Sequence, residues 1–232
     1  MASTAGRRLL PVGLRLQQAC TPLTRRNPAP LRFYSVDASA KAVALTEFQR
    51  KKIENCFDFY DINNDGILRF DEDFETALKA YIKLNGWTED SKQYVQYYRR
   101  WVAFWNNLYA GKMFRKDGKG DQQITREEFH SMWTHALMNR TDINKAPRWV
   151  RDLIPNTYQA IDTDGDNTIK LKDYEKFFEA FGRNNSAADI FNKLDINGDG
   201  MVSRTEWDIH MQDFFISEDE TRPGNHLWGY LQ

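Results

Sequence analysis

Asp195-Ile196-Asn197-Gly198-Asp199-Gly200-Met201-Val202-Ser203-Arg204-Thr205-Glu206 decides how the rest of the chain is read. Oxygen-bearing side chains stand at its first, third, fifth, ninth and twelfth places, and glycine at the sixth. A tight turn brings Asp195, Asn197 and Asp199 round one hard cation, and the Met201 carbonyl supplies a fourth oxygen. Glu206, at the head of the next helix, closes the shell with both carboxylate oxygens, and Gly200 permits the left-handed backbone between them. Chance seldom meets so many fixed places at once.

The pattern is that of an EF-hand loop, and it recurs. Asp61 to Glu72 repeats it in full: Asp61, Asn63, Asp65, the Ile67 carbonyl and Glu72 as ligands, with Gly66 at the turn. Arg69, at the ninth place, offers no oxygen. Asp162 to Asp173 supplies Asp162, Asp164, Asp166, the Thr168 carbonyl and Asp173. Asn167 tolerates its left-handed turn. Asp173 is one methylene shorter than glutamate, so it reaches the ion with a single oxygen and shifts preference toward magnesium. The remaining loop, Asp117 to Glu128, fails where it matters. Lys119 puts a cation at the third place, and Gln122 takes the turn at a cost of about 1–2 kcal/mol. That hand is expected to be structural and metal-free, the alternative being weak binding through Asp117, Asp121 and Glu128. Three calcium sites are expected, with magnesium competing at the third loop.

The eighth place is apolar in every loop: Leu68, Ile124, Ile169 and Val202. Such residues enter short strands that pair neighbouring loops, so the hands work in twos, first with second and third with fourth. Apolar residues recur at helical spacing around each loop. Thr46 with Gln49 forms a capping box, Thr88 is expected to open the long aromatic helix before the second loop, and Ser186 to cap the helix before the fourth. Residues 44–138 then hold the first pair and 147–215 the second. The apolar tail 216–232 is expected to fold back on the body.

Composition narrows the rest. The chain has 232 residues, 41% hydrophobic and 14% aromatic, enough for a sizeable core. No run of 18 apolar residues suggests a membrane span. The net charge of −1 hides an asymmetry: residues 1–36 carry six arginines and no acid, which leaves the body at −7. An acidic body argues against nucleic acid as a partner. The arginine-rich leader has the composition of a mitochondrial transit peptide, with Arg32-Phe33-Tyr34-Ser35 as its cleavage region. A mitochondrial matrix location is expected, the alternative being a basic tail kept in the cytoplasm. Of the two cysteines, Cys20 lies in the leader and Cys56 in the body, so no disulfide forms within the body.

Four hands with a degenerate second, a long helix before it, abundant aromatics and an apolar tail resemble the invertebrate sarcoplasmic calcium-binding proteins and calexcitins. The resemblance covers about residues 44–232. It implies an all-α fold in which two hand pairs pack face to face, with short β-bridges between paired loops and aromatics buried between the pairs. The implied activity is that of a soluble calcium and magnesium buffer, and a monomer is expected. Two rivals stand beside it. A sensor exposes a methionine-rich groove, but rings far outnumber methionines here. Calcium-triggered photoproteins and luciferin-binding proteins are also similar, and there Trp101, Trp105, Trp133, Trp207 and His210 would line a ligand pocket. An aromatic stripe at helical spacing is more often plain core. No enzyme motif is present: there is no phosphate-binding glycine loop, and His130 and His135 stand five apart, not at the four-residue spacing of a helical zinc pair.

Overall fold

A capping box opens the first helix. Thr46 Oγ1 accepts the Gln49 amide at 3.2 Å and Gln49 Oε1 accepts the Thr46 amide at 3.1 Å. The computed structural model describes residues 45–113, 122–183 and 186–231. Eight helices occupy them: α1 (Glu47–Tyr60), α2 (Glu75–Leu84), α3 (Lys92–Met113), α4 (Arg126–Leu137), α5 (Arg148–Ile161), α6 (Leu171–Ala180), α7 (Ala187–Leu194) and α8 (Arg204–Ile216). A π-helical turn, Phe70–Phe74, precedes α2. Four three-residue strands complete the pattern: β1 (Ile67–Arg69), β2 (Gln123–Thr125), β3 (Thr168–Lys170) and β4 (Met201–Ser203). Residues 1–36, where the leader is expected, lie outside the described residues.

The strands couple the hands as the apolar eighth places require. β1 runs antiparallel to β2 with Leu68 opposite Ile124, and β3 to β4 with Ile169 opposite Val202. All four side chains are buried, so each bridge plugs directly into the core. The fold is all-α apart from these bridges.

Two helix starts differ from expectation. Thr88 does not open α3, because its hydroxyl is committed to Asp90 at 2.6 Å. Its carbonyl instead accepts the Ser91 amide in a turn, and Ser91 Oγ accepts the Tyr94 amide at 3.1 Å, the bond of an N-cap. Ser186 stands at the N-cap of α7 but makes no side-chain bond there.

Rings join the first pair to the second. Trp101 of α3 stacks on Phe181 after α6, with centroids 5.4 Å apart, and lies 6.3 Å from Phe177. Phe59 stacks on Phe177 at 5.6 Å. Trp133 of α4 stacks on Phe215 of α8 at 4.1 Å. Such pairs add about 0.5–1.5 kcal/mol each beyond the area they bury.

The C-terminal residues lie in this interior too. Trp228 is buried against Phe214 at 4.5 Å, and its indole N–H donates to the Tyr60 hydroxyl. The Tyr174 hydroxyl donates to the Leu227 carbonyl at 2.8 Å. Lys52, fully buried, donates to the carbonyls of Asp213 (2.9 Å) and Ser217 (2.7 Å) and to Asn225 Oδ1 (3.1 Å). Burial lowers the Lys52 ammonium to about 8. Among the described residues no helix is long and apolar enough to cross a membrane.

Candidate metal centres

Each intact loop is wound by its own side chains. In the fourth, Asp195 Oδ1 accepts the amides of Gly198 (2.8 Å) and Asp199 (3.1 Å), and its Oδ2 accepts that of Gly200 (2.8 Å). Asn197 Oδ1 accepts the Asp199 amide and Asp199 Oδ1 the Met201 amide, both at 2.9 Å. These bonds wind the loop and leave further lone pairs on Asp195, Asn197 and Asp199 for an ion, although among the described residues only the third loop holds its carboxylate oxygens in one close cluster. Gly200 has φ +82°, the left-handed turn its place demands. Glu206 spans the loop from below: Oε1 accepts the Ile196 amide (3.0 Å) and Oε2 the Ser203 amide (2.8 Å) and hydroxyl (2.7 Å). Burial alone would raise this carboxyl, but the bonds from Ser203, Asn197 and Ile196 outweigh it and leave it below its ordinary value.

The third loop repeats the winding. Asp162 accepts the amides of Gly165 (2.9 Å) and Asn167 (3.1 Å), Asp164 that of Asp166 (3.1 Å), and Asp166 that of Thr168 (2.9 Å). Carboxylate oxygens of Asp162, Asp164 and Asp166 lie within 4.8 Å of one another. An all-oxygen set at that separation fits a hard divalent cation. Among the described residues Asp173 Oδ2 accepts the Lys170 amide alone, at 3.2 Å, a smaller grip than that of Glu206. The Lys170 ammonium pairs with Asp164 at 3.0 Å and with Asp166, and its hydrogen bond holds the Asp166 carboxyl down at about 2.

In the first loop Asp61 accepts the amides of Asp65 (3.1 Å) and Gly66 (2.9 Å), Asn63 that of Asp65 (2.9 Å), and Asp65 that of Ile67 (2.8 Å). The carbonyl-bearing residues Ile67, Thr168 and Met201 each begin a strand, which fixes the seventh place of each loop. Glu72, expected as the clamp, is half exposed and pairs with Arg69 at 2.8 Å and Asn63 at 3.3 Å. The Arg69 guanidinium also pairs with Asp65 at 2.7 Å. The residue spanning this loop from below is Asp73, which sequence reading passed over. It is fully buried, and it accepts the amides of Ile62 (3.0 Å) and Arg69 (2.8 Å). Burial pushes its carboxyl up to about 6 against those two bonds.

The second hand keeps the frame of the others. Thr125 and Glu128 form a capping box on α4, and Gln122 sits at φ +61°, the left-handed place read from its position. Asp117, Lys119 and Asp121 lie outside the described residues. The electrostatics are new. Lys112, at the end of α3, is 1% exposed, donates to the Gln123 carbonyl at 2.6 Å and pairs with Glu128 Oε2 at 3.0 Å. Those are the seventh and twelfth places, so an ammonium on the chain's own stem holds two oxygens that an ion would use. From α4, Arg126 reaches across to the first hand, pairing with Glu54 and Asp58 and approaching Asp61 Oδ2 at 3.4 Å.

A family model described as EF hand matches residues 187–209, which run from α7 through the fourth loop into α8. Sarcoplasmic calcium-binding proteins I, III and IV of Branchiostoma lanceolatum are 28% identical over 138 residues, 59% of this chain and 72% of theirs. The coelenterazine-binding protein of Renilla muelleri, in its calcium-loaded apo form, superposes with a TM-score of 0.64 at 23% identity, over 81% of this chain and 100% of that one. A sarcoplasmic calcium-binding protein from amphioxus gives 0.58 at 22%, over 80% and 98%. At these identities the two structures speak for the fold. In its loops, fold and matches together the chain is similar to calcium-binding EF-hand proteins. Within that class it is similar to the sarcoplasmic calcium-binding proteins, the family its sequence resembles.

Proposed function

We propose that this protein buffers calcium through three divalent sites, in its first, third and fourth hands, the third also accepting magnesium. The observation that carries the buffer reading is the ring-filled contact between the two pairs. Trp101, Phe181, Phe177 and Phe59 pack against one another across it, and Trp133 lies on Phe215. Opening such a contact on calcium binding would expose rings to water, so calcium enters without an exposed groove. Lys112 supports the count of three, since a divalent ion in the second loop would meet its buried ammonium. The test is binding of an apolar dye with and without calcium. Little change in fluorescence is expected, and a several-fold rise on adding calcium would replace the buffer with a sensor.

A carrier role is a second reading, favoured by a specific observation. Among the described residues the indole N–H of Trp133 and Nδ1 of His210 are buried without a hydrogen-bond partner, and an enclosed ligand that reached them would satisfy them. Titration with coelenterazine that quenches tryptophan fluorescence at one equivalent would establish it.

The arginine-rich, acid-free residues 1–36 support a mitochondrial address. A fluorescent fusion of the full chain is expected in mitochondria, and a diffuse cytoplasmic signal would refute import.

A further inference from the structure

The first loop is one residue longer than the other three. In the second, third and fourth loops the twelfth-place carboxylate is followed at once by a buried ring: Glu128 by Phe129, Asp173 by Tyr174, Glu206 by Trp207. In the first loop Glu72 is followed by Asp73, and the buried ring is Phe74, whose centroid lies 4.9 Å from that of Trp105. The strand residues Ile124, Ile169 and Val202 each stand five places before their ring, whereas Leu68 stands six before Phe74. The extra residue is absorbed at Phe70–Phe74, where the helix opens as a π-helical turn and the Glu75 amide bonds the Phe70 carbonyl. A single-turn insertion of this kind rotates the residues after it by one place relative to a plain α-helical start, and such turns gather at functional sites.

We propose that Asp73, not Glu72, is the clamp carboxylate of the first hand, which is therefore a thirteen-residue site closed by aspartate. Three observations agree. Asp73 meets the second and ninth amides of its loop, Ile62 and Arg69, one with each oxygen. Glu206 meets Ile196 and Ser203, the same two places, in the same way. Asp73 is as enclosed as the other clamps, Asp173 and Glu206, while Glu72 is half exposed and turned onto Arg69. The ring that seats each exit helix in the core follows Asp73, as it follows the clamp in every other hand. The shorter side chain gives the first hand the same lean toward magnesium that Asp173 gives the third. Glu72 instead neutralises Arg69, the cation at the ninth place.

The inference rests on the reading that the first hand takes a divalent ion. Calcium titration calorimetry on the full chain, with magnesium absent, tests both. Asp61→Asn is the control: loss of one equivalent shows that the first hand binds, and no loss would overturn the reading of that hand rather than the choice of clamp. Given that loss, Asp73→Asn is expected to weaken one site by about 100-fold and Glu72→Gln by less than about threefold. The reverse ranking, or no effect from either, would overturn the assignment. Asp73→Glu guards against a misfolded variant. It keeps the carboxylate and is expected to keep three equivalents with a raised calcium-to-magnesium preference; loss of the site in Asp73→Glu, with the melting transition intact, would count against the proposal.

Discussion

The second and fourth hands share a frame and differ in what lies inside it. Both begin their exit helix with a hydroxyl residue and a glutamate in a capping box, Thr125 with Glu128 and Ser203 with Glu206. Both place a buried apolar residue in a strand paired to the neighbouring loop, Ile124 to Leu68 and Val202 to Ile169. Both send a buried ring into the core directly after the glutamate, Phe129 and Trp207. In the fourth hand Glu206 spans its loop through the amides of Ile196, Asn197 and Ser203, with no cation against it among the described residues. In the second, Glu128 faces a buried ammonium from Lys112, which also takes the Gln123 carbonyl. The comparison teaches that bridge, cap and seating ring belong to the fold, whereas ion binding is a separate matter of which charge sits between the same oxygens. On the proposed reading the second hand holds no ion and still braces its partner.

The largest effect should come from removing the clamp charge of the fourth hand, against no effect from the same change in the second. Glu206→Gln is expected to weaken the fourth site by at least about 100-fold, equivalent to about 2.7 kcal/mol. Glu128→Gln is expected to leave the number of bound ions unchanged, and loss of an equivalent there would break the comparison. Next is Lys112→Met, which leaves Glu128 and the Gln123 carbonyl without their cation. Because Glu128 is partly open to water, a loss of about 2–3 kcal/mol in thermal unfolding is expected; an unmoved transition would mean that Lys112 merely lies nearby. The turn residues sharpen the contrast at smaller scale. Gly200→Ala, at φ +82°, should cost about 1–2 kcal/mol, and Gln122→Gly, at φ +61°, should gain about 1 kcal/mol. Both are read from denaturant midpoints at saturating calcium. Smallest is Asp173→Glu, expected to raise the third site's calcium-to-magnesium affinity ratio several-fold. An unchanged ratio in competition titrations would dismiss the short-clamp argument.

Much of this was legible in the sequence because its causes are local. The loop spacing and the turn glycines reflect contacts within a dozen residues; the apolar eighth places meet at longer range, Leu68 with Ile124 and Ile169 with Val202, but each loop's own spacing fixes which residue it presents. The Thr46–Gln49 cap is of the same kind. What escaped depends on residues meeting in space. Lys112 closes an aromatic helix sixteen places before Glu128, and nothing in its own neighbourhood marks it as facing an ion's position. Ser91 displaced Thr88 as the cap of α3 because the Thr88 hydroxyl had a nearer partner in Asp90. Asp73 was within reach of sequence reading: the ring after the clamp stands at Phe129, Tyr174 and Trp207 but slips one place to Phe74. A twelve-residue template hides that slip, because Glu72 satisfies it by chance.

Calcium titration calorimetry on chelator-stripped full-length protein tests the central claim most directly. Three equivalents of bound calcium are expected in the native chain, and three again in Glu128→Gln. Four equivalents, falling to three in that variant, would mean that the second hand binds an ion beside Lys112 and that the separation of frame from charge is wrong.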